Sequence, residues 1–227
     1  MVHAPKRLAF ALTAGVALLA ACQSPASAES IVRAPIAKVQ ASEKGLQTAI
    51  FAGGCFWGIE GVFSHVKGVS SAVAGYHGGT SRDADYRAVS SGNTRHAEAV
   101  RIKYDPSVIR YDQLLRIFFS VGADPTQLDR QGPDRGTQYR SALVPTTAEQ
   151  AKVARAYLAQ IGKAGLWKAP IVTRIEKYAG FFPAEKYHQD YMFKNPGSSY
   201  IVRWDAPKVA GLKSLYPVIY KADFTRN

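Results

Sequence analysis

The chain has 227 residues and a mass of 24.7 kDa, with 47% hydrophobic residues, 20% charged residues and a formal charge of +12. That is the composition of one globular domain, and it excludes a mostly disordered chain. The longest apolar run, Leu8 to Ala21, falls short of the roughly 20 residues that span a bilayer, and the two cysteines, Cys22 and Cys55, exclude a disulfide scaffold or a four-cysteine zinc site.

Residues 1–21 read as an export signal, with Lys6 and Arg7 as the positive region and Leu8–Leu19 as the apolar one. Two processing sites compete. Leu19-Ala20-Ala21-Cys22 is similar to the lipobox of bacterial lipoproteins, in which Cys22 would be lipidated and become the first mature residue. Ala26-Ser27-Ala28 is an A-x-A site whose use would discard Cys22. The lipobox is favoured because its cysteine closes the apolar stretch directly. Either route puts the mature chain in the periplasm or cell envelope, and the first anchors it to a membrane through lipid. Both leave Cys55 as a single thiol in an oxidising compartment, where a thiol is either buried and inert or reactive. The basic charge favours anionic lipid surfaces, but no Lys/Arg cluster interleaved with aromatics marks a nucleic-acid groove. Met192 is the one methionine that survives processing, which suits a protein facing oxidants.

Residues 22–45 lack sustained periodicity and read as a flexible tether, leaving 46–227 as a single domain, expected to be monomeric. Thr48–Ala52 reads as a strand ending in Gly53-Gly54. Phe56–Val66 carries apolar residues at helical spacing, and Gly68 ends it. Val69–Tyr76 and Ala97–Tyr104 alternate as strands, and Tyr111–Val121 is a strongly apolar helix. Tyr139–Val144 is a strand, and Thr147-Ala-Glu-Gln150 is a capping box opening a helix to about Lys163. Ile171–Tyr178 reads as a last strand, Ala184–Tyr191 as a short helix, and the segment from Asn195 as irregular. This order predicts an α+β two-layer sandwich built on a split βαβ, ferredoxin-like mixed sheet. The loops Gly78–His96 and Gly122–Gln138 are long enough to build a site.

Gly53-Gly54-Cys55-Phe56-Trp57-Gly58 places Cys55 at a helix N-terminus, where free amides and the macrodipole favour a thiolate. Phe56 and Trp57 serve either as core or as an apolar wall beside it. Glu98, Tyr86, Asp124 and Tyr139 lie at strand heads or in the long loops, as candidate acid and hydroxyl groups. His188 suits a structural hydrogen bond better than a base, and no His/Asp/Glu grouping has metal spacing. Three rival readings stay open at this level. A cysteine hydrolase would pair Cys55 with His77, His96 or His188, a thiol peroxidase would use the lone cysteine, and a binding module would use neither.

The string GGCFWG, followed in order by AGYHGGT (74–80), DYRAVSSGNTRHAEAVRI (85–102), ADPTQLDRQGPDRGTQYRSA (123–142) and FFPAEKYHQDYMFKNP (181–196), resembles A-type peptide-methionine sulfoxide reductases over about Thr48 to Pro196. The resemblance implies that Cys55 is the nucleophile and that Phe56, Trp57 and Gly54 form the pocket for the sulfoxide's methyl group. It further implies that Glu98 is the acid, that Tyr86 and Tyr139 donate to the sulfoxide oxygen, and that Asp124 places substrate or water. The substrate would be the S epimer of methionine sulfoxide, free or in oxidised proteins and peptides, with no metal or organic cofactor. Two departures stand out. Relatives commonly carry a resolving cysteine near the C-terminus, and Tyr200–Asn227 has none, so an external reductant, thioredoxin-like or a small thiol, is expected to recycle Cys55. Relatives also commonly have His where Ala123 stands.

Overall fold

The computed structural model describes residues 1–2 and 31–227. The export signal, Cys22 and the first part of the expected tether lie outside the described residues.

β1 (Gln47–Gly53) leads into α1 (Phe56–Ser64), and β2 (Val69–His77) follows. The first long loop contains α2 (Tyr86–Ser90) and returns through β3 (Ala97–Tyr104). The strands β1 and β2 run parallel with β3 antiparallel between them, which is the split βαβ arrangement. α3 (Tyr111–Ile117) runs on into a π turn at Phe118–Gly122. The second long loop holds the two-residue hairpin β4 (Arg130–Gln131) and β5 (Asp134–Arg135), then a 3₁₀ turn at Thr137–Tyr139. β6 (Ser141–Val144) pairs with β1 on its other edge, so the central order is β6-β1-β3-β2, as in a ferredoxin-like sheet.

α4 (Ala148–Gly162) starts where the capping residue predicts, with the Thr147 side chain accepting from Gln150 N–H at 3.1 Å. The return bond of the box is displaced by one residue, because Gln150 Oε1 accepts from Thr146 N–H. β7 (Arg174–Ile175) and β8 (Phe182–Pro183) close the two sheet edges. α5 (Tyr191–Lys194), a π turn at Ile201–Asp205 and α6 (Ala206–Leu215) complete the chain.

The helical face carries the main core, through Ala49, Phe51, Val100 and Ile102 of the sheet and Ile59, Val62 and Phe63 of α1. Eight of the nine α1 residues are buried, because α5, α6 and the sheet enclose it. The opposite face holds a smaller cluster of Ile50, Ala52, Ala97, Ala99, Ala142 and Val144 under Phe181.

Four expectations need correction. The described part of the expected tether, from residue 31, packs onto the domain, with Ala34, Ala37 and Ala41 buried. Ala34 N–H donates to Ser120 Oγ and Ala41 N–H to Asp112 Oδ1, and small residues at these points let an extended segment lie close to α3 and α4. The expected strand Ile171–Tyr178 pairs only at β7, because the Glu176 carboxylate turns to Arg140 and Val172 N–H to Pro125 O. The expected helix Ala184–Tyr191 is a set of turns, since the Gln189 side chain bonds the Ala74 backbone on both sides and Asp190 is left-handed at φ +56°. The segment after Asn195, expected irregular, forms α6. Its Pro207 and Gly211 hide the helix in sequence, yet Pro is tolerated in a first turn and Gly211 packs against Ile31.

Candidate active site

The functional side chains gather at one end of the sheet, where β1 and β2 finish and β3 and β6 begin. Gly54 takes φ +85°, a left-handed conformation that swings the chain from strand to helix and leaves Cys55 as the N-cap of α1. A Cβ at Gly54 would lie 2.4 Å from Gln131 Cβ, so the second long loop rests directly on this turn. Gln131 is itself fixed, accepting from Asp124 N–H at 3.0 Å and donating to Asp124 O at 2.8 Å. Ala123 is buried beside Gly53, where a Cβ on the glycine would be 2.8 Å from Ala123 Cβ.

Glu98 stands at the head of β3 opposite Tyr76, only 2% exposed, and its Oε2 accepts from Phe56 N–H at 3.0 Å. Burial pushes its carboxyl up to about 8, partly opposed by that N–H and reinforced by the negative charges of Asp134 and Asp205. That direction favours the protonated form of Glu98 at neutral pH.

Cys55 departs from the expectation. Its thiol is pushed up, not down, by burial and by the neighbouring Glu98 and Asp205 charges, against a bond from Trp57 N–H. One N-terminal amide of α1 is already spent on Glu98, and desolvation outweighs what remains of the helix-end field.

Tyr86 and Tyr139 both sense the charges of Glu98 and Cys55, and burial raises both hydroxyls, so they remain donors. α2 holds Tyr86 in place, capped by Asp85 through Ala88 N–H, while Tyr86 N–H donates to Glu185 Oε1 at 2.8 Å. Phe56 is fully buried between Tyr76 and His188, with ring centroids 5.9 and 5.1 Å away. Trp57 is partly exposed and clamped: it stacks on Tyr191 at 3.7 Å and 8°, meets Tyr200 edge-on, and donates from Nε1 to His188 Nδ1 at 3.1 Å. His188 is thus the hydrogen-bonding residue that its sequence context suggests, and burial lowers its tendency to take a proton.

Asp124 is not part of this group. Its carboxylate caps its own turn, accepting from Thr126 N–H and Oγ1 and from Gln127 Nε2. The acid that the second loop brings to Cys55 is Asp134, which accepts from the Tyr200 hydroxyl. Asp134, Tyr200, Trp204, Asp205 and Lys208 wall a small cleft that opens on Cys55. None of these five was singled out in the sequence. Asp134 lies in one of the long loops expected to build a site, whereas the other four come from a segment expected to be irregular. Among the described residues no group of three or more His, Cys, Asp or Glu side chains is arranged to hold a metal ion.

Among the described residues, one thiol, a carboxyl raised by burial, two phenol donors and a clamped indole thus meet at one end of an α+β sandwich, a set suited to thiol chemistry. The sequence profile described as peptide methionine sulfoxide reductase matches residues 47–215. The chain is 57% identical over 176 residues to peptide methionine sulfoxide reductase MsrA 2 of Mesorhizobium japonicum, covering 78% of this chain and 90% of that protein. It is 50% identical over 170 residues to MsrA of Deinococcus radiodurans, covering 75% and 82%. Among solved structures, methionine sulfoxide reductase A of Corynebacterium diphtheriae superposes with a TM-score of 0.57 at 32% identity, covering 74% of this chain and 83% of that one. Mxr1 of Saccharomyces cerevisiae in reduced form gives 0.58 at 31% identity, covering 71% and 92%. The chain belongs to the peptide methionine sulfoxide reductase family, and it is an oxidoreductase.

Proposed function

We propose that the enzyme reduces the S epimer of methionine sulfoxide, free or in oxidised proteins and peptides, by attack of Cys55 sulfur on the sulfoxide sulfur. The observation that carries this reading is the buried Glu98 carboxyl, tied to the peptide that follows Cys55 and pushed up to about 8 by its burial. Sulfoxide oxygen leaves sulfur only once protonated. Glu98 gives its proton to that oxygen, and the carboxylate left behind takes the thiol proton as the sulfur–sulfur bond forms. General acid catalysis of this kind is worth about 10²–10⁴-fold. Transfer of the hydroxyl to Cys55 then breaks that bond and yields methionine and a Cys55 sulfenic acid, so the thiol is oxidised and the sulfoxide reduced.

Tyr86 and Tyr139 donate to the oxygen, and Phe56 and Trp57 take the methyl group. Exchanging the two substituents would leave the donors unpaired, which selects one epimer. Cys55 is the one cysteine among the described residues. An external thiol therefore attacks the sulfenic acid, giving a mixed disulfide and water, and a second thiol frees Cys55. No metal or organic cofactor is needed for any of these steps.

The test is a single turnover of the pre-reduced protein with S and R epimers of a blocked methionine sulfoxide, beside Cys55→Ser. About one equivalent of thioether from S alone, absent in the variant, is the expected result. Product from neither epimer would overturn the reading.

The export signal at residues 1–21, closed by Cys22, supports a lipid-anchored protein that repairs oxidised proteins of the cell envelope. Mass analysis of the mature N-terminus checks this: a diacylated Cys22 is expected, and an N-terminus at Glu29 would overturn the anchor.

A further inference from the structure

The C-terminal π turn brings a third carboxyl to the nucleophile. Asp205 is 1% exposed and lies against the first turn of α1, where a Cβ on Gly58 would be 2.3 Å from its Oδ1. It shares the Cys55 cleft with Asp134, Tyr200 and Lys208. Glu98 from β3, Asp134 from β5 and Asp205 therefore surround one thiol, and Lys208 of α6 is the one ammonium lining that cleft, donating to Gly122 O at 3.1 Å.

Buried like charges this close do not all ionise near neutral pH. Burial pushes the Asp134 carboxyl up, but the Tyr200 hydroxyl and the Lys208 charge oppose that shift. Glu98 has a single backbone N–H. Around Glu98 stand Cys55 and Phe56 N–H at the start of α1, Tyr76 of β2, Tyr86 of α2, Asp134 of β5, Tyr139 of the 3₁₀ turn and Asp205. Of these side chains the two aspartates are the ones whose negative charge pushes the Glu98 carboxyl up.

We infer that Asp205 is a positioning residue for the reductase reaction: its carboxylate, seated against α1 at Gly58, holds the proton on Glu98 that the sulfoxide oxygen will take. The inference rests on Glu98 as the acid. It gives the C-terminal segment a chemical task in a chain that has no second thiol there. Gly58 belongs to the same device, since any side chain at that position would push the charge away.

The experiment is the pH profile of single-turnover reduction by the pre-reduced full chain, each profile normalised to its own acid-side plateau. In the wild type the rate should fall as pH rises through about 8, where Glu98 loses its proton. In Asp205→Asn that fall should move to lower pH by roughly half a unit to one unit, the direction expected when a like charge is removed. Infrared titration of the protonated-carboxyl band, assigned by its absence in Glu98→Gln, should move by the same amount and does not depend on turnover. Where Asp205→Asn does not fold, Gly58→Ala keeps the charge but displaces it, and the same downward shift is expected. Profiles and band unmoved from wild type, with Glu98→Gln inactive, would overturn the role of Asp205 alone. A fully active Glu98→Gln would instead remove the reading of Glu98 on which it rests.

Discussion

Glu98 Oε2 accepts a 3.0 Å hydrogen bond from the backbone N–H of Phe56, the residue immediately after the nucleophile. The acid and the thiol are thus referenced to the same peptide, and a movement of one carries the other. The bond also removes a helix-end amide from the set that would otherwise stabilise a thiolate.

Glu98→Gln should therefore retain the fold and bind substrate, yet lose about 10²–10⁴-fold in the rate of thioether formation, because an amide cannot donate that proton. The wild-type loss of activity through about pH 8 should vanish from whatever rate remains. Rapid-quench measurement of the first turnover across pH checks both points. A variant with near-normal rate would show that another group supplies the proton.

Trp57 depends on His188, whose Nδ1 must be an unprotonated acceptor for the indole N–H. Burial holds His188 below its ordinary range, so the bond survives into mildly acidic solution and breaks when the ring takes a proton. His188→Ala should raise KM about tenfold, the effect of roughly 1.4 kcal/mol, with a smaller change in the rate of the chemical step. Steady-state kinetics with a small thiol as reductant separate the two. An unchanged KM would mean that stacking on Tyr191 alone holds the indole.

Cys55, Phe56, Trp57, Glu98, Tyr86 and Tyr139 stand out in the sequence as candidates because each lies on or beside a strongly patterned element. Cys55 follows a glycine pair between strand and helix, and Glu98 opens a strand whose alternation fixes its face. Asp124 and Asp134 share one loop, and no local pattern says which carboxyl turns toward Cys55 and which caps its own turn. That choice is made by Tyr200, 66 positions away from Asp134 in the chain. Tyr200 and Asp205 were not legible at all: the π turn that presents them has no period in sequence, and α6 carries a proline and a glycine. The chemistry of Cys55 was misjudged for a related reason. A helix N-terminus is visible in sequence, but the desolvation that outweighs it comes from elements distant along the chain.

Gly54→Ala tests how tightly the nucleophile turn is specified. The left-handed φ costs a non-glycine residue about 1–2 kcal/mol, and the new Cβ would overlap Gln131 Cβ at 2.4 Å. The Gln131–Asp124 pair prevents an easy retreat of that loop. Thermal unfolding should show a loss of a few kcal/mol, and first-turnover activity should fall by more than the folded fraction does. Activity falling only in proportion to folding would mean that the turn tolerates the change without moving Cys55.

Glu60 offers a pH test of stability separate from catalysis. It is fully buried in α1, and burial raises its carboxyl to about 8, against opposing backbone N–H groups led by Asp190. Unfolded, it would lose its proton near 4.5, so between about 4.5 and 8 the folded chain binds a proton that the unfolded chain does not. Stability is then lost as pH rises through that window, at up to about 1.4 kcal/mol per pH unit for each such group. Glu98 contributes in the same direction. The half-buried His65 and the buried His77 and His188 act oppositely, but chiefly below about pH 6.5, so the interval from about pH 7 to 8 isolates the carboxyls. Glu60→Gln should flatten the fall in unfolding free energy across that interval, measured by denaturant titration at several pH values, and leave first-turnover reduction intact. A slope equal to that of the wild type would mean that Glu60 is ionised in the folded protein and is stabilised by its neighbours.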